Sequence, residues 1–161
     1  MTLLIKSIII EVFQHPTEEK NLIFKGINSL LPSIEQIKDL INSIDTHTLF
    51  GYHKNEILLH TLEINKKRII STCFSFLIEK ILVHSSHFVL FEKIDENGEL
   101  HLRIDKQTLI GSDEVYLVDK QPSNNLGIYK IIIKFAYHGK KSEKIDEIHK
   151  FLSSITSKTK V

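Results

Sequence analysis

The chain has 161 residues, 42% hydrophobic and 25% charged, which allows one core of ordinary size and argues against a disordered or fibrous protein. A formal net charge of +1 neither demands nor excludes a nucleic-acid partner. The charge is uneven, however: residues 120–161 hold nine Lys against three acidic residues, a local +6, so an anionic partner is expected toward that end.

Cys73 is the single cysteine, which excludes a disulfide framework and all but excludes a Cys-based metal site. The start, MTLLIKSIIIEVFQ, is apolar but broken by Lys6, Ser7 and Glu11, and lacks the basic start and cleavage site of a signal peptide. No uncharged run approaches the roughly 18 residues needed to span a bilayer. The expectation is a soluble, cytoplasmic protein with no membrane contact.

Residues 3–14, rich in Ile and Leu, predict a strand. Pro16 ends it, Thr17 is available to cap a following helix, and Leu22, Ile23, Ile27, Leu30 and Leu31 fall at helical spacing. Pro32 closes that helix. Ser33 is placed to cap a second, whose stripe is Ile34, Ile37, Leu40, Ile41 and Ile44. THTLF and EILLHTLEI then read as two strands around the turn-like GYHKN.

A long apolar helix is predicted over about 66–83; residues 85–94 read as a short helix or a strand, with the helix favoured because Ser85 or Ser86 can cap it. Asp95-Glu96-Asn97-Gly98 is a turn, and ELHLRIDKQ leaves it as a strand. A loop over roughly 108–125 follows. Next come a strand over 126–137 and a last helix over about 141–155, with 156–161 as a frayed tail. With no repeat or linker, the order predicts one α+β domain over 1–161: a mostly antiparallel sheet with helices packed on one face.

Searches for catalytic chemistry return little. There is no phosphate-cradling glycine loop, no GxSxG and no HExxH. Cys73 lies within an apolar helix and reads as core filler. His47, His53 and His60 match no zinc spacing, and His60 falls on a core face, as a satisfied or edge histidine. Glu99 and Asp105 read as facing opposite ways, which argues against a shared acid–base site. No catalytic residue, metal or cofactor is expected.

The strand at 99–107 carries more. Leu100, Leu102 and Ile104 alternate with His101, Arg103 and Asp105, which places the polar three on an uncovered face with Gln107 continuing the row. Lys130 and Lys134 share one face of their own strand. If the two strands are neighbours, that face gathers Arg103, Lys130, Lys134 and His101, a set suited to phosphates and to single-stranded RNA. A plainly solvated face is the alternative.

Three stretches carry a family resemblance. They are His15-Pro16-Thr17-Glu18, Gly51-Tyr52-His53-Lys54-Asn55-Glu56-Ile57, and Leu100-His101-Leu102-Arg103-Ile104-Asp105-Lys106-Gln107. In order and spacing over about 3–155 the chain resembles small archaeal proteins described as RNA-binding proteins and candidate exosome subunits, with a fold similar to the ribosomal protein that contacts 5S rRNA. Tyr52, Lys54 and Glu56 depart from the family's His, Gly and Pro. For the third stretch two readings stand: Arg103 and Lys106 hold phosphates while Gln107 reads a base edge, or Arg103 and Asp105 form a structural network that pins the loop after 107.

The resemblance implies a non-enzymatic RNA-binding module, an accessory to RNA processing with other RNA-processing proteins as further partners. Its expected RNA-contacting residues are His53, Lys54, Asn55, His101, Arg103, Lys106, Gln107, Lys130 and Lys134. The rival is an interaction subunit that docks another protein on the open sheet face without touching RNA.

Overall fold

The first strand of the chain ends up at the middle of the sheet. In the computed structural model, which describes residues 3–51, 55–119 and 125–155, β1 (Leu3–Gln14) lies between β3 (Glu56–Ile64) and β5 (Ile128–Tyr137). β2 (Asp45–Phe50) flanks β3, and β4 (Leu100–Asp105) flanks β5. Every neighbouring pair is antiparallel, in the order β2-β3-β1-β5-β4. This is the expected α+β domain.

Alternation decides which face is covered. Ile8, Ile10 and Val12 of β1, Leu62 and Ile64 of β3, Leu100, Leu102 and Ile104 of β4, and Tyr129, Ile131 and Ile133 of β5 are all buried. Six helices supply the cover: α1 (Lys20–Ser29), α2 (Glu35–Ile41), α3 (Ile70–Ile81), α4 (His87–Glu92), α5 (Lys106–Ser112) and α6 (Lys144–Ser153). Their apolar stripes, such as Ile70, Phe74, Leu77, Ile78 and Ile81 of α3, close on the same cluster.

One close approach depends on a glycine. Tyr129 is wholly buried, and its hydroxyl donates to the Ile23 carbonyl of α1 at 2.8 Å. A Cβ at Gly26, one turn along, would stand 2.0 Å from that oxygen. Only the absence of a side chain at 26 lets α1 settle onto β5.

Several predicted details are corrected. Neither Thr17 nor Ser33 caps a helix: α1 and α2 begin after Glu19 and Ile34 without a side-chain cap, and the Thr17 hydroxyl bonds the His15 ring instead. The predicted helix over 66–83 is α3, shorter at its start, and the last helix is a 3-10 turn over Lys141–Glu143 followed by α6. Ser86 does cap α4, accepting from the Val89 amide. The tail at 156–161 lies outside the described residues.

The larger correction is at 108–125, where a loop was expected. Asp105 ends β4 by capping α5, accepting from the Thr108 amide at 3.0 Å and from the Thr108 hydroxyl. Residues 116–118 then return along the outer edge of β4, with the Asp105 amide donating to the Tyr116 carbonyl and the Val118 amide to the Arg103 carbonyl. That edge is shielded. β2, at the opposite edge, is exposed at every position.

Candidate nucleic-acid interface

The register assembles the uncovered face. Arg103 of β4 stands opposite Lys130 of β5, Lys130 opposite Glu11 of β1, Glu11 opposite Thr61 of β3, and Thr61 opposite Asp45 of β2. Side chains directly across antiparallel strands point to one side, so a single row crosses all five strands from base to acid. The adjacent row runs His101, Ile132, Ile9, Glu63, and Lys134 lies beyond it opposite Ser7.

Above β4 and β5 this face dips into a pocket of about 440 Å³ lined by Glu92, Lys93, His101, Leu102, Arg103, Val118 and Lys130. Lys93 enters from the end of α4, and its ammonium pairs with Asp119 at 3.2 Å. His101 Nε2 lies 2.8 Å from an Asp95 oxygen. Lys130 and Lys134 have no hydrogen-bond or ion-pair partner among the described residues, which leaves their charge available to an anion. The lining thus holds three permanent cations and an imidazole with one carboxylate, Glu92, while Asp119 and Asp95 pair with Lys93 and His101; the surplus of base is the kind of arrangement that receives a phosphate.

Not all of the expected contact residues meet there. His101, Arg103 and Lys130 do, and Lys134 lies on the same face further along β5. Lys106 does not: it is 3% exposed, turned inward, with its ammonium 2.7 Å from the Phe13 carbonyl and 3.2 Å from Glu18. Burial pulls its pKa down, and the Glu18 carboxylate holds it up in part. Gln107 is off the row as well, because the strand stops at Asp105 and Gln107 belongs to α5. Asn55 closes the β2–β3 turn by accepting from the Gly51 amide, three strand spacings and at least about 14 Å from β4. His53 and Lys54 lie outside the described residues.

Two of the family-like stretches instead meet each other. Glu18 accepts from the His15 amide and from Lys106, 88 residues on. Gln14 donates to the Glu18 carbonyl, and its side-chain oxygen lies 2.7 Å from His60 Nε2. His60 Nδ1 lies 2.8 Å from the Thr46 hydroxyl. The pattern suits a neutral imidazole that donates through Nε2 and accepts from Thr46. Burial, with Lys20 and Lys106 nearby, lowers the His60 pKa. His60 is therefore a satisfied core histidine, while Lys106 is engaged with Glu18 and the Phe13 carbonyl and Asp105 with Thr108.

Asp95, Glu99 and His101 bring three ligand-type atoms within 4.8 Å of one another. The Asp95 carboxylate is already engaged, accepting from the Asn97 and Glu99 amides that shape the turn at Gly98 (φ 76°) and lying against His101. The cluster is accounted for as a turn. Glu99 and Asp105 share strand parity, contrary to expectation. They are kept apart by six residues of extended chain, about 20 Å, and by the capping role of Asp105.

Sequence reasoning missed Lys93 and Val118. Lys93 joins the pocket only because its carbonyl accepts from the His101 amide, and Val118 only because residues 116–118 pair with β4. No local pattern announces either contact.

Fold and face together define an α+β domain with a basic, solvent-facing half-sheet. A family model described as RNA binding matches residues 7–137, and the chain belongs to that family. Among solved structures it is similar to a DUF54 protein from Methanothermobacter thermautotrophicus, at 21% identity and TM-score 0.69 over 92% of this chain and 98% of that one. It is also similar to a DUF54-family protein from Sulfolobus solfataricus, at 27% identity and TM-score 0.63 over 92% and 98%. No curated protein matches. Among the described residues, no helix is long and apolar enough to cross a membrane.

Proposed function

We propose that the chain binds RNA through the basic half of its open sheet face, with Arg103, Lys130, Lys134 and Lys93 holding phosphates and His101 at the pocket wall. One observation carries the reading: the register sets Arg103 beside Lys130 on the uncovered side, in a family described by RNA binding. The chain then acts as a binding module, an accessory that brings RNA to processing proteins rather than an enzyme. The junction of β2 and β3 at Gly51 and Asn55 is a separate, secondary contact.

Fluorescence anisotropy with a labelled RNA oligonucleotide at two salt concentrations tests it. Each of Arg103→Gln, Lys130→Gln and Lys134→Gln is expected to weaken binding across unrelated sequences. Each should also lower the log–log salt slope by about 0.7 on single-stranded RNA. If the wild type has no affinity for RNA at low salt, the reading is overturned. The open face, which also carries Ile9, Phe13, Leu59 and Ile132, is then a protein-docking surface.

A further inference from the structure

The open face is not uniformly basic, and its division says what kind of RNA fits. On β4 and β5 the outward charged and titratable positions are His101, Arg103, Asp105, Lys130 and Lys134, and the one carboxylate among them, Asp105, stands at the end of β4 and is engaged in capping α5. On β1, from Ser7 to Phe13, and on β3 and β2, the outward charged positions are Glu11, Glu63 and Asp45, with no Lys or Arg. The boundary runs along the contact between β5 and β1. There Lys130 faces Glu11, while Ile132 faces Ile9.

We infer that this face takes single-stranded RNA and rejects duplex, a reading that rests on the RNA binding proposed above. One strand can lie along β5 with its phosphates on Arg103, Lys130 and Lys134. Its bases then turn toward β1, over the apolar side chains of Ile132, Ile9 and Phe13, where unpaired bases gain from packing. A duplex brings a second line of phosphates. Set down beside the first, that line falls on the strands that carry Glu11, Glu63 and Asp45, where like charges oppose it. The same carboxylates can accept from the N–H groups of exposed base edges, which only an unpaired strand presents.

The test is direct binding of a labelled 12-nucleotide RNA, single-stranded and as a blunt duplex of the same sequence, at one salt concentration. The wild type is expected to prefer the single strand on the order of tenfold or more. In Glu11→Gln/Glu63→Gln that preference should narrow through tighter duplex binding. Glu63→Gln alone, at an exposed position, gives a smaller shift of the same sign and serves if the half-buried Glu11 does not tolerate change. Equal or tighter duplex binding by the wild type overturns the inference while RNA binding stands. A preference that survives unchanged in both variants also overturns it. Binding of neither RNA removes the RNA reading itself.

Discussion

Glu18 and Lys106 form an ion pair at 3.2 Å that ties the turn after β1 to the first residue of α5, and the two partners are unequally exposed. The lysine side chain is 3% accessible and the carboxylate 28%. Removing either partner therefore has different consequences. Glu18→Ala strands a buried ammonium and is expected to destabilise by about 3 kcal/mol. Lys106→Met leaves a carboxylate that water can reach, and should cost about 1–2 kcal/mol. Denaturant titration of both variants checks the order. A larger loss in Lys106→Met would mean that its bond to the Phe13 carbonyl matters more than the ion pair.

Asp105→Ala removes the cap of α5 and should cost about 1 kcal/mol. RNA affinity should stay within twofold of wild type when measured well below the melting temperature, since Asp105 serves the helix rather than the open face. A loss of affinity comparable to Arg103→Gln would put the carboxylate back among the contact residues.

His60 makes stability depend on pH. Its folded pKa lies below the ordinary value of 6.5, chiefly through burial. The unfolded chain therefore takes up a proton before the folded one does as pH falls through that value. The stabilisation is complete above about pH 6.5 and declines below it, at up to about 1.4 kcal/mol per pH unit while the folded ring stays neutral. Denaturation midpoints at pH 7.5, 6.5 and 5.5 should show a steeper decline for the wild type than for His60→Asn. Parallel declines would assign the acid sensitivity to other groups.

Gly26→Ala would drive a methyl group into the Tyr129 hydroxyl, and the buried ring has nowhere to retreat. The expected loss is about 2–3 kcal/mol. Tyr129→Phe in the same background should return part of it by removing the clashing oxygen. A neutral Gly26→Ala in thermal melts would show that α1 can slide along the sheet.

Cys73 is buried, and burial pushes its thiol up to about 11. Native protein at neutral pH should react slowly with a thiol reagent, and unfolded protein quickly. Fast labelling of the native state would contradict its place on the buried face of α3.

What could be read from the sequence was what repeats locally. The alternation of Leu100, Leu102 and Ile104 with His101 and Arg103 declares a half-covered strand, because a register slip by one residue would bury the guanidinium. The same rule fails one residue later. Asp105 continues the alternation as the last residue of the ladder, yet its side chain caps α5, and the helix start turns Lys106 inward against a carboxylate far away in sequence. α5 itself, KQTLIGS, is short and holds Thr108, Gly111 and Ser112, weak helix formers that conceal it. Its existence depends on a cap and on packing against α1, and neither is a periodic signal. Lys93 reaches the pocket by a backbone bond to His101, which is equally invisible in one dimension.

The position of β1 also governs when this fold can form. Ile8 pairs with Ile64 on one side and with Ile133 on the other, so the centre of the sheet joins the two ends of the chain. Loops of that span close slowly, and the domain should fold in milliseconds or longer rather than at the pace of a helical bundle of the same length. On a ribosome, the hairpin of β2 and β3 can meet β1 early. The other side of β1, rich in isoleucine, then waits as an unpaired edge until β5 emerges. A chain stopped before residue 128 keeps that edge open, and its characteristic failure is aggregation rather than a partly working domain.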